Sequence, residues 1–182
     1  LYSLLGQVNT PERKILTVED PVEYDLDGIV QVPVKEEIGV GYSSVLRTML
    51  RQDPDIILVG VSRTSKTPTS IYLANRGYRT SNIPIIPNKN LPDQLIQNLN
   101  KICIIGLICD PIRLYDVRRN RVQSMHEDRI GEYTDEKKIV NELENSKKIF
   151  KKYNWPIIDV TRKSVEETAA SIIKIFDILY SK

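Results

Sequence analysis

Apolar residues recur along this chain in short runs bounded by proline, glycine and acids. KILTVED (14–20) reads as a short strand that Pro21 ends, because proline offers no N–H to a ladder. GIVQVPV (28–34) alternates weakly and, with Pro33 inside it, reads as an edge strand. YSSVLRTMLRQ (42–52) spaces Val45 and Met49 for one helical face, with Leu46 and Leu50 beside it, and Asp53-Pro54 stops that helix. DIILVG (55–60) is a buried strand, four apolar residues held between Asp55 and Gly60. TSIYLANRG (69–77) predicts a helix with Gly77 as its stop.

The second half continues the alternation. NIPIIP (82–87) predicts a strand pinched by prolines, PDQLIQNLN (92–100) a helix, and KICIIGLIC (101–109) a core strand. DPIRLYDVRRNRVQSM (110–125) predicts a basic helix that Asp110 caps, with Pro111 in its first turn. HEDRIGEY (126–133) is polar and reads as a loop; Thr134 is placed to cap a long helix through about Lys152. WPIIDVT (155–161) is a further strand. SVEE (164–167) is a capping box, Ser164 with Glu167, opening a last helix with Val165, Ala169, Ile172, Phe176 and Leu179 on one face. Strands alternating with helices predict an α/β fold with a mainly parallel sheet and flanking helices.

Composition narrows the class. The chain has 182 residues, 41% hydrophobic and 27% charged, as expected of a globular protein. No apolar run approaches the roughly 20 residues that span a bilayer, so no membrane insertion is expected. LYSLLGQVNTPERK lacks the basic start and apolar core of a signal peptide, and a cytoplasmic location follows as the expectation. The chain opens on Leu rather than Met, which suggests a fragment. Cys103 and Cys109 sit in or beside an apolar run and read as reduced core thiols. Net charge is +2, but residues 1–60 hold 5 Lys and Arg against 10 Asp and Glu, while residues 61–182 hold 21 against 14. The basic second part suits an anionic ligand. No basic stretch interleaves aromatics for base stacking, so nucleic acid is not an expected partner.

Chemistry concentrates after the DIILVG strand. Gly60-Val61-Ser62-Arg63-Thr64-Ser65-Lys66-Thr67 approaches the G-x-x-x-x-G-K-[ST] phosphate loop. In such a turn backbone N–H groups converge on phosphate oxygens at the positive end of a helix. Lys66 would bring an ammonium to the terminal phosphate, and Thr67 a hydroxyl for Mg²⁺ or for phosphate itself. Arg63 is a second candidate cation, since guanidinium suits bidentate phosphate contact. Ser65 stands where glycine is usual, which predicts an altered loop geometry with its hydroxyl as an extra donor. The competing reading is a polar strand-to-helix connection with a capping threonine. Asp55 is a candidate for orienting a nucleophile or metal, against a strand-end cap, and Asp159 is in the same position. Arg118, Arg119 and Arg121 either grip phosphate or form a solvated helix face. His126, alone of its kind, reads as a solvated residue rather than a general base. No metal cluster is expected.

Two resemblances follow from longer segments. GVSRTSKTPTSIYLANRGYRTSNIPIIP, IIGLICDPIRLYDVRRNRV and WPIIDVTRKSVEETAASII resemble, in order, the pyruvate, phosphate dikinase regulatory proteins of the kinase/pyrophosphorylase family. This resemblance covers about residues 55–182. It implies two reactions on a threonine of pyruvate, phosphate dikinase, or of phosphoenolpyruvate synthase in a sister branch. In one, ADP is the phosphoryl donor and the target is inactivated; in the other, inorganic phosphate removes the phosphoryl group, releases pyrophosphate and restores activity. It further implies a nucleotide cradle from Gly60 to Thr67 with Lys66 as the principal catalytic cation; a homo-oligomer stays open.

LYSLLGQVNTPERKILTVEDPVEYDLDGIVQVPV and VLRTMLRQDPDIILVG resemble instead the type II secretion and type IV pilus assembly ATPases. That resemblance makes Glu19, Asp20 and Glu23 candidate site acids and DIILVG a Walker B strand. Val61 stands where that family has a water-polarising glutamate. The chain thus reads as a chimera, an ATPase-like fragment over 1–59 and a kinase/pyrophosphorylase portion with its phosphate loop over 60–182. Three functions remain open: the bifunctional regulator, impaired or not by loss of its N-terminal region; a non-catalytic assembly module; and a fusion without function.

Overall fold

The computed structural model describes residues 15–19, 29–33, 53–87, 91, 95–96, 102–125 and 133–180. Strands β1 (Ile15–Glu19) and β2 (Ile29–Pro33) pair in parallel, Ile15 opposite Ile29. The main sheet has four parallel strands, β3 (Ile56–Gly60), β4 (Thr80–Pro84), β5 (Cys103–Ile108) and β6 (Ile157–Asp159), in the order β4-β3-β5-β6. Ile56 pairs with Thr80 on one side and Cys103 on the other, and Gly106 pairs with Ile157. The α/β reading therefore holds. The helices are α1 (Lys66–Asn75), α2 (Pro111–Met125), α3 (Glu136–Lys152) and α4 (Val165–Tyr180).

Parallel strands need crossovers, and helices cover both faces of such a sheet. That is why β3 can be an unbroken apolar run: Ile56, Ile57, Leu58 and Val59 are all fully buried. Each such side chain contributes about 1.5–3 kcal/mol of burial. α1 packs against α4, and α2 against α3. At Gly106 of β5 the ring of Phe150 from α3 comes so close that an added Cβ would lie 2.5 Å from it. The boundary expected between residues 59 and 60 falls inside β3, a central strand of this sheet.

Local signals explain the helix ends. The α1 terminus is a Schellman motif: Gly77 N–H donates to Ala74 and Tyr78 N–H to Leu73, with Gly77 at φ 93°. Asp110 Oδ1 accepts from the amides of Ile112 and Arg113 and caps α2. In the box before α4, Ser164 N–H donates to Glu167 at 2.8 Å and Glu167 N–H to Ser164 Oγ at 3.1 Å.

Some expectations shift. The cap of α3 is Asp135, whose carboxylate accepts from Lys138 N–H, one residue beyond Thr134. β4 begins at Thr80 and ends at Pro84, since parallel pairing with β3 and not the apolar run sets its limits. On α4, Ala169 and Ile172 are buried but Leu179 is 57% exposed; Tyr180 turns inward and donates to the Ile102 carbonyl. Cys103 and Cys109 are buried free thiols, as expected, pushed up by burial to about 12 and about 11. The helix expected over 42–52 lies outside the described residues. So do Glu23, His126 and the 92–100 helix apart from Leu95 and Ile96, which are helical. No helix among the described residues is long and apolar enough to cross a membrane.

Candidate phosphate-binding site

Parallel strands bring their carboxyl ends to one edge, where open α/β sheets bind ligands. Here that edge carries Gly60 of β3, Ile108 of β5 and Asp159 of β6. The loop from Val61 to Ser65 leaves this edge and enters α1 directly.

The loop is built around one carbonyl. Val61 is buried, and its carbonyl accepts from Thr64 Oγ1 at 2.9 Å and from Lys66 Nζ at 2.7 Å. The chain must turn sharply to allow this. Arg63 and Ser65 both adopt left-handed backbone, φ 69° and 56°. Ser65 thus takes the conformation that glycine would take, at a cost of about 1–2 kcal/mol for an L residue. Glycine would adopt this backbone freely, and the serine is strained in it. Gly60 is tightly enclosed, because a Cβ there would lie 2.6 Å from the Leu107 carbonyl and 2.7 Å from Thr64 Oγ1.

The start of α1 is open. Its first intrahelical bond runs from Thr69 N–H to the Ser65 carbonyl. The amides of Ser65, Lys66 and Thr67 precede that bond and have no partner within the helix. Pro68 carries no N–H, so three donors remain. Ser65 makes no side-chain cap, and the first turn holds no acid.

Cations gather behind these amides. Lys66 is buried, and burial together with the charges of Arg118 and Arg63 pulls its ammonium down to about 7. Arg118, from α2, is 1% exposed and pairs with Glu142 of α3 at 2.7 Å. Its Nε has no hydrogen-bond partner among the described residues. A cationic cluster with one carboxylate in its hydrogen-bond set favours an anion, since buried like charges repel until one arrives.

Not all candidates meet here. Gly60 to Thr67 and Arg118 share the site. Arg119 is exposed and Arg121 half-buried on the same helix. Asp159 shares the edge but accepts from Thr161, through both its amide and its hydroxyl. Asp55 is not brought to the loop. It precedes β3, about 16 Å away along five residues of strand. Burial raises its carboxyl, but hydrogen bonds and charge from Arg79 outweigh that and hold it low. It ties β3 to the start of β4, as a strand-end cap does. Among the described residues no group of three or more His, Cys, Asp or Glu could hold a metal ion.

Two contributors had escaped the sequence reading. Tyr133, in the polar stretch before α3, puts its hydroxyl 3.1 Å from Ser62 Oγ and 3.4 Å from Arg63 Nε. Glu142 is the carboxylate that makes a buried Arg118 tolerable. Neither left a local signal, because Tyr133 meets Ser62, and Glu142 meets Arg118, only across the packed fold.

Comparison with known proteins bears on both halves. The profile of the kinase/pyrophosphorylase family matches residues 47–173, and that of the type II/IV secretion system proteins matches residues 1–77. The two matches overlap over 47–77, across β3, the loop and α1. A pyruvate, phosphate dikinase regulatory protein of Pelagibacter ubique is 57% identical over 124 residues, 68% of this chain and 45% of the relative. Its namesake in Caulobacter vibrioides is 50% identical over 121 residues, 66% of this chain and 38% of the relative. That of Sphingopyxis alaskensis is 45% identical over 148 residues, 81% and 52%. The chain spans about half the length, or less, of these relatives.

Proposed function

The chain belongs to the kinase/pyrophosphorylase family, and from that premise we propose that it carries the phosphate-holding half of a regulator of pyruvate, phosphate dikinase or phosphoenolpyruvate synthase. The observation that supports this reading is the open start of α1, with three amides unpartnered within the helix and Lys66, Arg63 and Arg118 around them. Such an arrangement stabilises charge that builds on a transferring phosphoryl group.

In the inactivating direction ADP lies with its phosphates on the Ser65, Lys66 and Thr67 amides. The target threonine oxygen attacks the β-phosphorus in line, the bond to the α-phosphate bridging oxygen breaks, and AMP leaves. In the activating direction a phosphate oxygen attacks phosphothreonine, and pyrophosphate leaves as the threonine hydroxyl is restored. The Lys66 ammonium spends one of its three donors on the Val61 carbonyl and has two left for the ligand. A Mg²⁺ ion carried in with the nucleotide would have the Thr67 hydroxyl as its protein ligand and supply further charge neutralisation. The two-part organisation, secretion-ATPase-like over 1–59 and kinase/pyrophosphorylase over 60–182, is part of the same proposal.

Calorimetry with ADP and with inorganic phosphate tests the cradle. Lys66→Ala is expected to abolish both binding signals while the variant stays folded; an unchanged affinity would contradict the proposal. Incubation with a dikinase and ADP reads the reaction itself, and absence of threonine modification at high protein concentration leaves a binding role alone.

A further inference from the structure

Tyr133 stands immediately before α3 and is held from two helices. Its carbonyl accepts from Arg118 Nη1 at 3.3 Å, and the Arg118 guanidinium lies over its ring, 4.7 Å from the centroid. Arg118 is in turn anchored on Glu142 of α3. The polar end of the ring reaches two consecutive loop residues, Ser62 Oγ at 3.1 Å and Arg63 Nε at 3.4 Å. The bonds from Thr64 and Lys66 to the Val61 carbonyl hold the buried side of the loop. Tyr133 reaches its half-buried side.

We propose that Tyr133 is a positioning residue for the anion, acting through Ser62 and Arg63. The inference rests on the reading of the loop as a phosphate cradle. A guanidinium N–H only donates, so the phenol oxygen accepts from Arg63. Either oxygen of the Tyr133–Ser62 pair can donate, and in this proposal the phenol proton is directed at Ser62 Oγ. Ser62, accepting that bond, turns its own proton outward as a donor to a phosphate oxygen. One tyrosine thus orders a cation and a hydroxyl donor, and couples them to the packing of α2 on α3.

The test is ADP affinity, measured by calorimetry on the whole chain, for Tyr133→Phe, Ser62→Ala and the double variant. Tyr133→Phe keeps the ring beneath Arg118 and removes only the hydroxyl. Each single change is expected to weaken ADP binding about three- to tenfold, the range of one hydrogen bond, with the melting temperature unmoved. The double variant should lose less than the product of the two single losses, because both changes break the link through Ser62. Losses that multiply in the double variant would overturn the route through Ser62. Wild-type affinity in Tyr133→Phe, with Lys66→Ala inactive in the same assay, would overturn this inference and leave the cradle standing. No ADP binding by the unmodified chain, or unchanged binding by Lys66→Ala, would overturn both. Should Tyr133→Phe fail to fold, Ser62→Ala decides alone: undiminished affinity sinks the proposal.

Discussion

Two strand-to-helix junctions lie side by side on the carboxyl edge of the sheet, one after β3 and one after β5. The β5 junction satisfies its own helix. Asp110 accepts from two amides of the first turn, Pro111 has none to satisfy, and Asp110 N–H itself donates to Thr161 Oγ1. The β3 junction does the reverse. Ser65 sits in left-handed backbone without a side-chain cap, and a buried lysine is held by a carbonyl of its own loop. Local stability is complete at one junction and withheld at the other. Strain and unpaired donors of this kind collect where a ligand is to supply what is missing.

Substitutions can break this contrast in order of expected size. Gly60→Ala forces a Cβ against a backbone carbonyl, and overpacking of that kind costs about 1–3 kcal/mol. ADP binding should fall with it, because Gly60 ends the strand from which the loop departs and the same Cβ would press on Thr64 Oγ1 inside the loop. The matched control is Gly106→Ala, whose Cβ meets the Phe150 ring; it should lose comparable stability in denaturant unfolding yet keep its affinity for ADP.

The pH dependence is next in size. The Lys66 ammonium lies near 7 in the free protein, below its ordinary 10.5, and a bound anion raises it again. Binding therefore takes up a proton, and ADP affinity should fall between pH 7 and 9 by up to about tenfold per unit. Lys66→Arg, which keeps its charge throughout this range, should remove that slope. For the free protein the sign is opposite: between about 7 and 10.5 the unfolded chain holds a proton that the native lysine lacks, so stability rises with pH.

Asp110→Ala deletes the cap of the satisfied junction and should cost about 1 kcal/mol in unfolding free energy with ADP affinity unchanged. A loss of affinity here would show that the two junctions are not independent. The smallest effect is the gain expected from Ser65→Gly. Relief of the left-handed serine should raise stability by about 1 kcal/mol, while the backbone amides, and with them the affinity for phosphate, stay in place.

Much of this was legible before any coordinates. The pairs Ser164 with Glu167 and Asp110 with Pro111, and the stop at Gly77, depend on residues within a few positions of one another, and each is realised. The strands β3 and β5 were legible because burial on both faces demands unbroken apolar runs. Asp55 stays between two readings in the sequence because a carboxylate at a strand start and one at a strand end look alike there. Only topology says which end carries the ligand edge. Thr134 reads as a cap by residue type, but its neighbour Asp135 serves equally well, and the first turn of α3 chooses Asp135.

The sequence by itself determined the alternation of strands and helices, the caps of α2 and α4 and the stop of α1, since all of these are set by neighbours along the chain. Tertiary structure alone decided that Arg118 is buried while Arg119 is not, that Glu142 neutralises it, and that Tyr133 reaches the loop from about seventy residues away. The reason is the range of the forces involved. Capping and periodicity act within a turn or two of chain, whereas the desolvation of a cation depends on whatever the packed helices bring to it.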